Sequence, residues 1–152
     1  TRLLKGFMAD YEANATVATA PYPEVPALLA DLAAAGFRMG MVTNKPEGAT
    51  RAVLAGFGLA HYFPVVVGGG TLPGVIKPDP RFVQHALVGL GAHAADAVLV
   101  GDSRNDVLSA RNAGLPVILR AGGYGPVPAE HLEADLVLGS LADLATVIAR
   151  LP

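Results

Sequence analysis

From residue 24 to the C-terminus, short apolar runs of strand length alternate with segments whose apolar positions recur at helical spacing. That alternation restricts the chain to a small set of folds. Residues 24–35 place Val25, Leu28, Leu29 and Leu32 on one helical face and close on Gly36, which suits a left-handed cap. Residues 37–42 read as a buried strand, 47–57 as a helix and 64–67 as a short strand. A glycine-rich loop over 68–74 leads to Lys77-Pro78-Asp79-Pro80. Asp79 and Pro80 suit the cap and first turn of a helix ending near Leu90. Residues 97–101 form the next strand, 103–113 a helix stopped by Gly114, and 117–119 and 136–138 further strands. Ser140 followed by Asp143 has the spacing of a capping box opening the last helix.

Strands separated by helices imply a parallel sheet with helices on both faces, an α/β fold. Ahead of it, residues 3–13 carry Leu3, Leu4, Phe7, Met8 and Tyr11 at helical spacing. Residues 14–23, rich in small residues and Pro, read as a linker and a domain boundary.

Composition removes several classes of function. Although 52% of the 152 residues are hydrophobic, no stretch reaches the roughly 18 consecutive apolar residues of a membrane span. A net charge of −2 offers no basic field to nucleic acid. Without cysteine there are neither disulfides nor thiolate metal sites. The N-terminal residues lack an apolar signal core, so the expected location is cytoplasmic.

In parallel sheets, ligands bind beyond the C-terminal strand ends. Thr43-Asn44-Lys45 follows the first strand, where a hydroxyl and a carboxamide near a helix N-terminus can donate to a phosphoryl group or merely cap the helix. Lys77 is one of only three lysines in a chain that prefers Arg, and offers either a compact ammonium for an anion or a solvated loop charge. Asp102 follows the 97–101 strand directly, and Asp106 lies one helical turn later on the same side. Two carboxylates aimed at one point suit an oxygen-ligated cation such as Mg²⁺. Either could instead serve as a capping acid at a helix N-terminus. No P-loop, dinucleotide fingerprint or G-x-S-x-G elbow occurs, and His61, His85, His93 and His131 are dispersed.

Taken in order, Met41-Val42-Thr43-Asn44-Lys45, Lys77-Pro78 and Gly101-Asp102-Ser103-Arg104-Asn105-Asp106 resemble the second, third and fourth motifs of the haloacid-dehalogenase superfamily, most nearly its phosphoglycolate phosphatases. Tyr22-Pro23-Glu24-Val25 is similar to that family's return from its cap domain. The resemblance implies a Rossmann-like core over 24–152 and a remnant of the last cap helix over 1–13. It also implies Mg²⁺-dependent hydrolysis of a small phosphate monoester through a phospho-aspartate. Thr43 and Lys77 would be catalytic; Thr43, Asn44 and Lys77 would bind the phosphate; Asp102 and Asp106 would hold the metal. The family's first motif, Asp-x-Asp-Gly-Thr with its nucleophile, does not occur in this chain. Its strand belongs between the strands at 37–42 and 97–101, so its absence is expected to leave either a gap with unpaired backbone groups or a direct, non-native pairing. The alternatives are a non-catalytic module for binding or assembly, or another capped member acting on sugar phosphates.

Overall fold

The computed structural model describes residues 20–123 and 127–150. The helix expected over 3–13 and most of the 14–23 linker lie outside them. The described chain runs α1 (Val25–Ala34), β1 (Gly40–Pro46), α2 (Glu47–Gly56), β2 (Val65–Gly69), α3 (Pro80–Leu90), β3 (Leu99–Gly101), α4 (Arg104–Ala113), β4 (Val117–Arg120), β5 (Leu136–Leu138) and α5 (Leu144–Ile148), with short 3₁₀ turns between. No described helix is long and apolar enough to cross a membrane.

Every strand pairing is parallel, but the strands form two sheets, β1-β2 and β3-β4-β5. Among the described residues β1 and β3 do not pair with each other. The strands of this seam are less covered than parallel strands usually are: β1 has no fully buried residue, and Val100 of β3 is exposed.

Two helices hold the half-sheets together. On one side, Leu28 and Leu32 of α1 pack with Ile118 and Leu144, while Leu29 of the same helix packs with Leu54, Leu59 and Val66. On the other, Val83 of α3 joins Leu99, Val117 and Leu119, and its neighbours Phe82 and Ala86 join Val67. Strand alternation sends Val117 and Leu119 to one face of β4 and Ile118 to the other. Each of these helices thus serves both sheets by turning adjacent residues to different clusters.

Several sequence-based boundaries shift. The first strand begins at Gly40, not residue 37, and runs through Pro46, with its register broken between Val42 and Pro46. The Gly36 turn (φ +85°) delays the strand, since Phe37 still donates from its backbone to the Leu32 carbonyl of α1. Thr43-Asn44-Lys45 therefore belongs to the irregular end of a strand and not to a loop. At the last helix, Ser140 accepts from the Ala142 N–H and opens a 3₁₀ turn, and Asp143 makes no side-chain cap. A capping box forms instead at Ser103 and Asp106.

Asp135 fastens β4 to α4. Its carboxylate accepts from the Val117 N–H at 2.6 Å and from both Arg111 terminal nitrogens, at 2.9 and 3.0 Å. The Arg111 hydrogen bonds, followed by that from Val117, hold its carboxyl below the ordinary value of 3.8. A lowered carboxylate pKa gives stability that is present above the unfolded value and lost as pH falls through the folded one. Asp135→Asn should therefore flatten the decline of stability below about pH 4, read from urea midpoints at stepped pH. The effect will be modest, because both partners are more than a third exposed.

Candidate active site

β1 and β3 belong to different sheets, yet a side chain from the C-terminal end of β1 and one from the helix that follows β3 meet at Lys77. The Asn44 carboxamide closes on the backbone of that residue: its Oδ1 accepts from the Lys77 N–H at 2.7 Å, and its Nδ2 donates to the Lys77 carbonyl at 3.2 Å. The Lys77 ammonium then donates to Asp106 Oδ1 at 2.6 Å. Both side chains are largely buried, at 11% and 9% exposure, so the pair is shielded from solvent.

Asp106 is occupied on both oxygens. Oδ2 accepts from the backbone N–H groups of Asp102 and Ser103, each at 3.1 Å, and from the Ser103 hydroxyl at 2.7 Å. Burial pushes its carboxyl up, but the Lys77 charge and this set of donors outweigh it, and the net direction is downward. Asp106 is thus an ionised anchor that caps α4 and fixes the turn carrying Asp102.

Glycines make room for the acids. A Cβ on Gly101 would lie 2.5 Å from Asp106 Oδ2, and one on Gly123 would lie 2.8 Å from Asp102 Cγ. Thr43 Oγ1 accepts from the Lys45 N–H at 3.1 Å, which uses a lone pair and leaves its O–H as a donor. Its neighbour Asn44 links this end of β1 to Lys77. The structure thus ties Asn44, Lys77 and Asp106 into one network, with Asp102 joined through its backbone.

Other residues support the rim without a signature in the sequence. Glu47, opening α2, accepts from the Thr71 hydroxyl at 2.5 Å and from Arg51 Nε at 2.7 Å, and Thr71 in turn accepts from the Gly68 N–H. Those two donors, Thr71 first, hold the Glu47 carboxyl below its ordinary range. Arg120, at the end of β4, stacks 3.5 Å from the Tyr22 ring centroid and lies 3.6 Å from Glu24. That contact fixes the entry to α1 against the second sheet. The requirement for these residues comes from partners 24 and about a hundred positions away, which local spacing does not reveal.

A hard divalent cation needs several oxygen ligands. The described residues contain no cluster of three or more metal-ligating side chains. Of the two acids at this rim, Asp102 and Asp106, Asp106 is already committed to four donors.

Comparison with known proteins identifies the family. The family model described as haloacid dehalogenase-like hydrolase matches residues 2–120. The chain is 44% identical over 141 residues to a phosphoglycolate phosphatase of Rhodospirillum rubrum, covering 93% of this chain and 58% of that protein. It is 39% identical to one of Caulobacter vibrioides, covering 93% and 60%. Among solved structures, a predicted phosphoglycolate phosphatase from Haemophilus somnus superposes with a TM-score of 0.86 at 31% identity, over 94% of this chain and 64% of that one. CbbY from Rhodobacter sphaeroides in complex with phosphate gives 0.76 at 28% identity, over 88% and 60%. The chain spans about three-fifths of the length of the curated relatives it matches. With a family model matching most of its length and relatives of this similarity, the chain belongs to the haloacid dehalogenase-like hydrolases.

Proposed function

We propose that this chain supplies the phosphate- and metal-binding rim of a phosphatase acting on a small phosphate monoester of the phosphoglycolate type, in a cytoplasmic setting. The observation that carries the reading is the Lys77–Asp106 pair, a buried cation held at the convergence of two parallel sheets. Fixed positive charge at that point opposes the charge of a phosphoryl group, and costs no reorganisation when the group transfers. Thr43, through its O–H, and Lys77, through its ammonium, contact the phosphoryl oxygens. Asn44 is in place to hold Lys77 and has one amide hydrogen left for the anion. Asp102 and Asp106 would hold Mg²⁺, Asp106 mainly by orienting its neighbour. The metal, when bound, neutralises charge on the phosphoryl oxygens. The nucleophilic aspartate that forms the phospho-aspartate comes from outside these 152 residues, since no Asp-x-Asp-Gly-Thr occurs among them.

The test is phosphate release from phosphoglycolate and from sugar phosphates by a protein that joins this chain to such a motif. Asp102→Asn should lower hydrolysis by about a hundredfold or more. Activity that survives this substitution would refute the reading. A preference for sugar phosphates would keep the chemistry and change the substrate.

A further inference from the structure

The segment carrying Lys77 is gripped twice, and the second grip comes from a residue to which the phosphatase reading gives no part. Asn44, from the first sheet, holds the Lys77 N–H and carbonyl. One residue on, the Pro78 carbonyl accepts from Asn112 Nδ2 at 2.9 Å. Asn112 lies in the last turns of α4, the helix whose first turn presents Asp106 to the Lys77 ammonium. One helix therefore meets this dipeptide at two points, holding its charge with a carboxylate and its backbone with a carboxamide.

We propose that Asn112 is a positioning residue for Lys77. A lysine has a flexible four-carbon stem, so its ammonium is placed only as well as its backbone is. Asn44 references that backbone to β1 alone. Asn112 references it to α4, and so to Asp106 and Asp102 across the seam where β1 and β3 do not pair. The inference rests on the phosphatase reading for its effect on rate. Asn112 is exposed, so its hydrogen bond adds little to stability, and its loss should appear in catalysis rather than in melting.

In a protein that joins this chain to an Asp-x-Asp-Gly-Thr segment, Asn112→Ala should lower kcat by about fivefold to tenfold, leaving KM within about twofold and the melting temperature nearly unchanged. Asn112→Asp, the same shape with an oxygen facing the Pro78 carbonyl, should do at least as much harm. The ¹⁵N signal of the Lys77 ammonium should move in both variants, a readout independent of turnover. Asp102→Asn measured alongside separates the two ideas. If it abolishes hydrolysis while both Asn112 variants keep wild-type kcat and an unmoved Lys77 signal, the positioning role is wrong and the phosphatase reading stands. If Asp102→Asn leaves hydrolysis intact, the phosphatase reading falls, and the Lys77 signal alone then decides the clamp. A lowered melting temperature with unchanged kcat and an unmoved Lys77 signal would make Asn112 merely structural and overturn the proposal.

Discussion

Lys77→Ala is expected to destabilise the chain by about 3 kcal/mol and, on the proposed function, to remove phosphate release from the protein that joins it to the nucleophile motif. The size follows from what the substitution leaves behind. The Asp106 side chain is only 9% exposed, and it is ionised because Lys77 and the donors of the Ser103 turn outweigh its burial. Removing the ammonium leaves a buried carboxylate without its counter-charge, which costs far more than losing a surface ion pair. Replacing both partners, as in Lys77→Met with Asp106→Leu, should recover part of the stability and none of the activity. A double-mutant cycle in urea, read beside phosphate release, checks both statements. If Lys77→Ala unfolds at the wild-type midpoint, the pair is not the anchor described here.

Gly68→Ala should cost about 1–3 kcal/mol and loosen the same rim from the other side. A Cβ there would lie 2.5 Å from Glu47 Cα, 2.7 Å from Glu47 N and 2.9 Å from the Lys45 carbonyl. All three obstacles are backbone, so no side-chain rotation relieves them. The start of α2 would have to move off β2, carrying Glu47 away from Thr71. Gly139→Ala is the matched control: its Cβ meets nothing within 4 Å, and it should change the denaturation midpoint very little. Equal midpoints for the two variants would show that α2 is not seated on Gly68 as described.

Much of the fold can be read directly from the chain because it is written in local period. Leu28, Leu29 and Leu32 repeat at helical spacing and are the buried face of α1. Asp79 before Pro80 caps α3, and Gly91 ends it in a left-handed conformation. Boundaries were harder where the irregularity comes from pairing, as in β1, whose register breaks between Val42 and Pro46. The Ser140 and Ser103 turns show the limit of spacing. Each has an acid three residues on, and of the two only Ser103 closes a capping box, whose acid Asp106 is also held by Lys77.

The sequence alone determined the order of helices and strands, the parallel sense of their pairing and the choice of Thr43, Asn44, Lys77, Asp102 and Asp106 as the polar groups to examine near the C-terminal strand ends. These follow from apolar periodicity and from the few places where a βα chain can set a polar residue beside its sheet. Only the tertiary structure decided that the strands form two sheets stapled by α1 and α3, that Asn44 grips the Lys77 backbone and that Asn112 and Thr71 brace the rim. Those contacts join residues some 24 to 34 positions apart, and a hydrogen bond across such a distance depends on how whole elements pack rather than on any pattern within one of them.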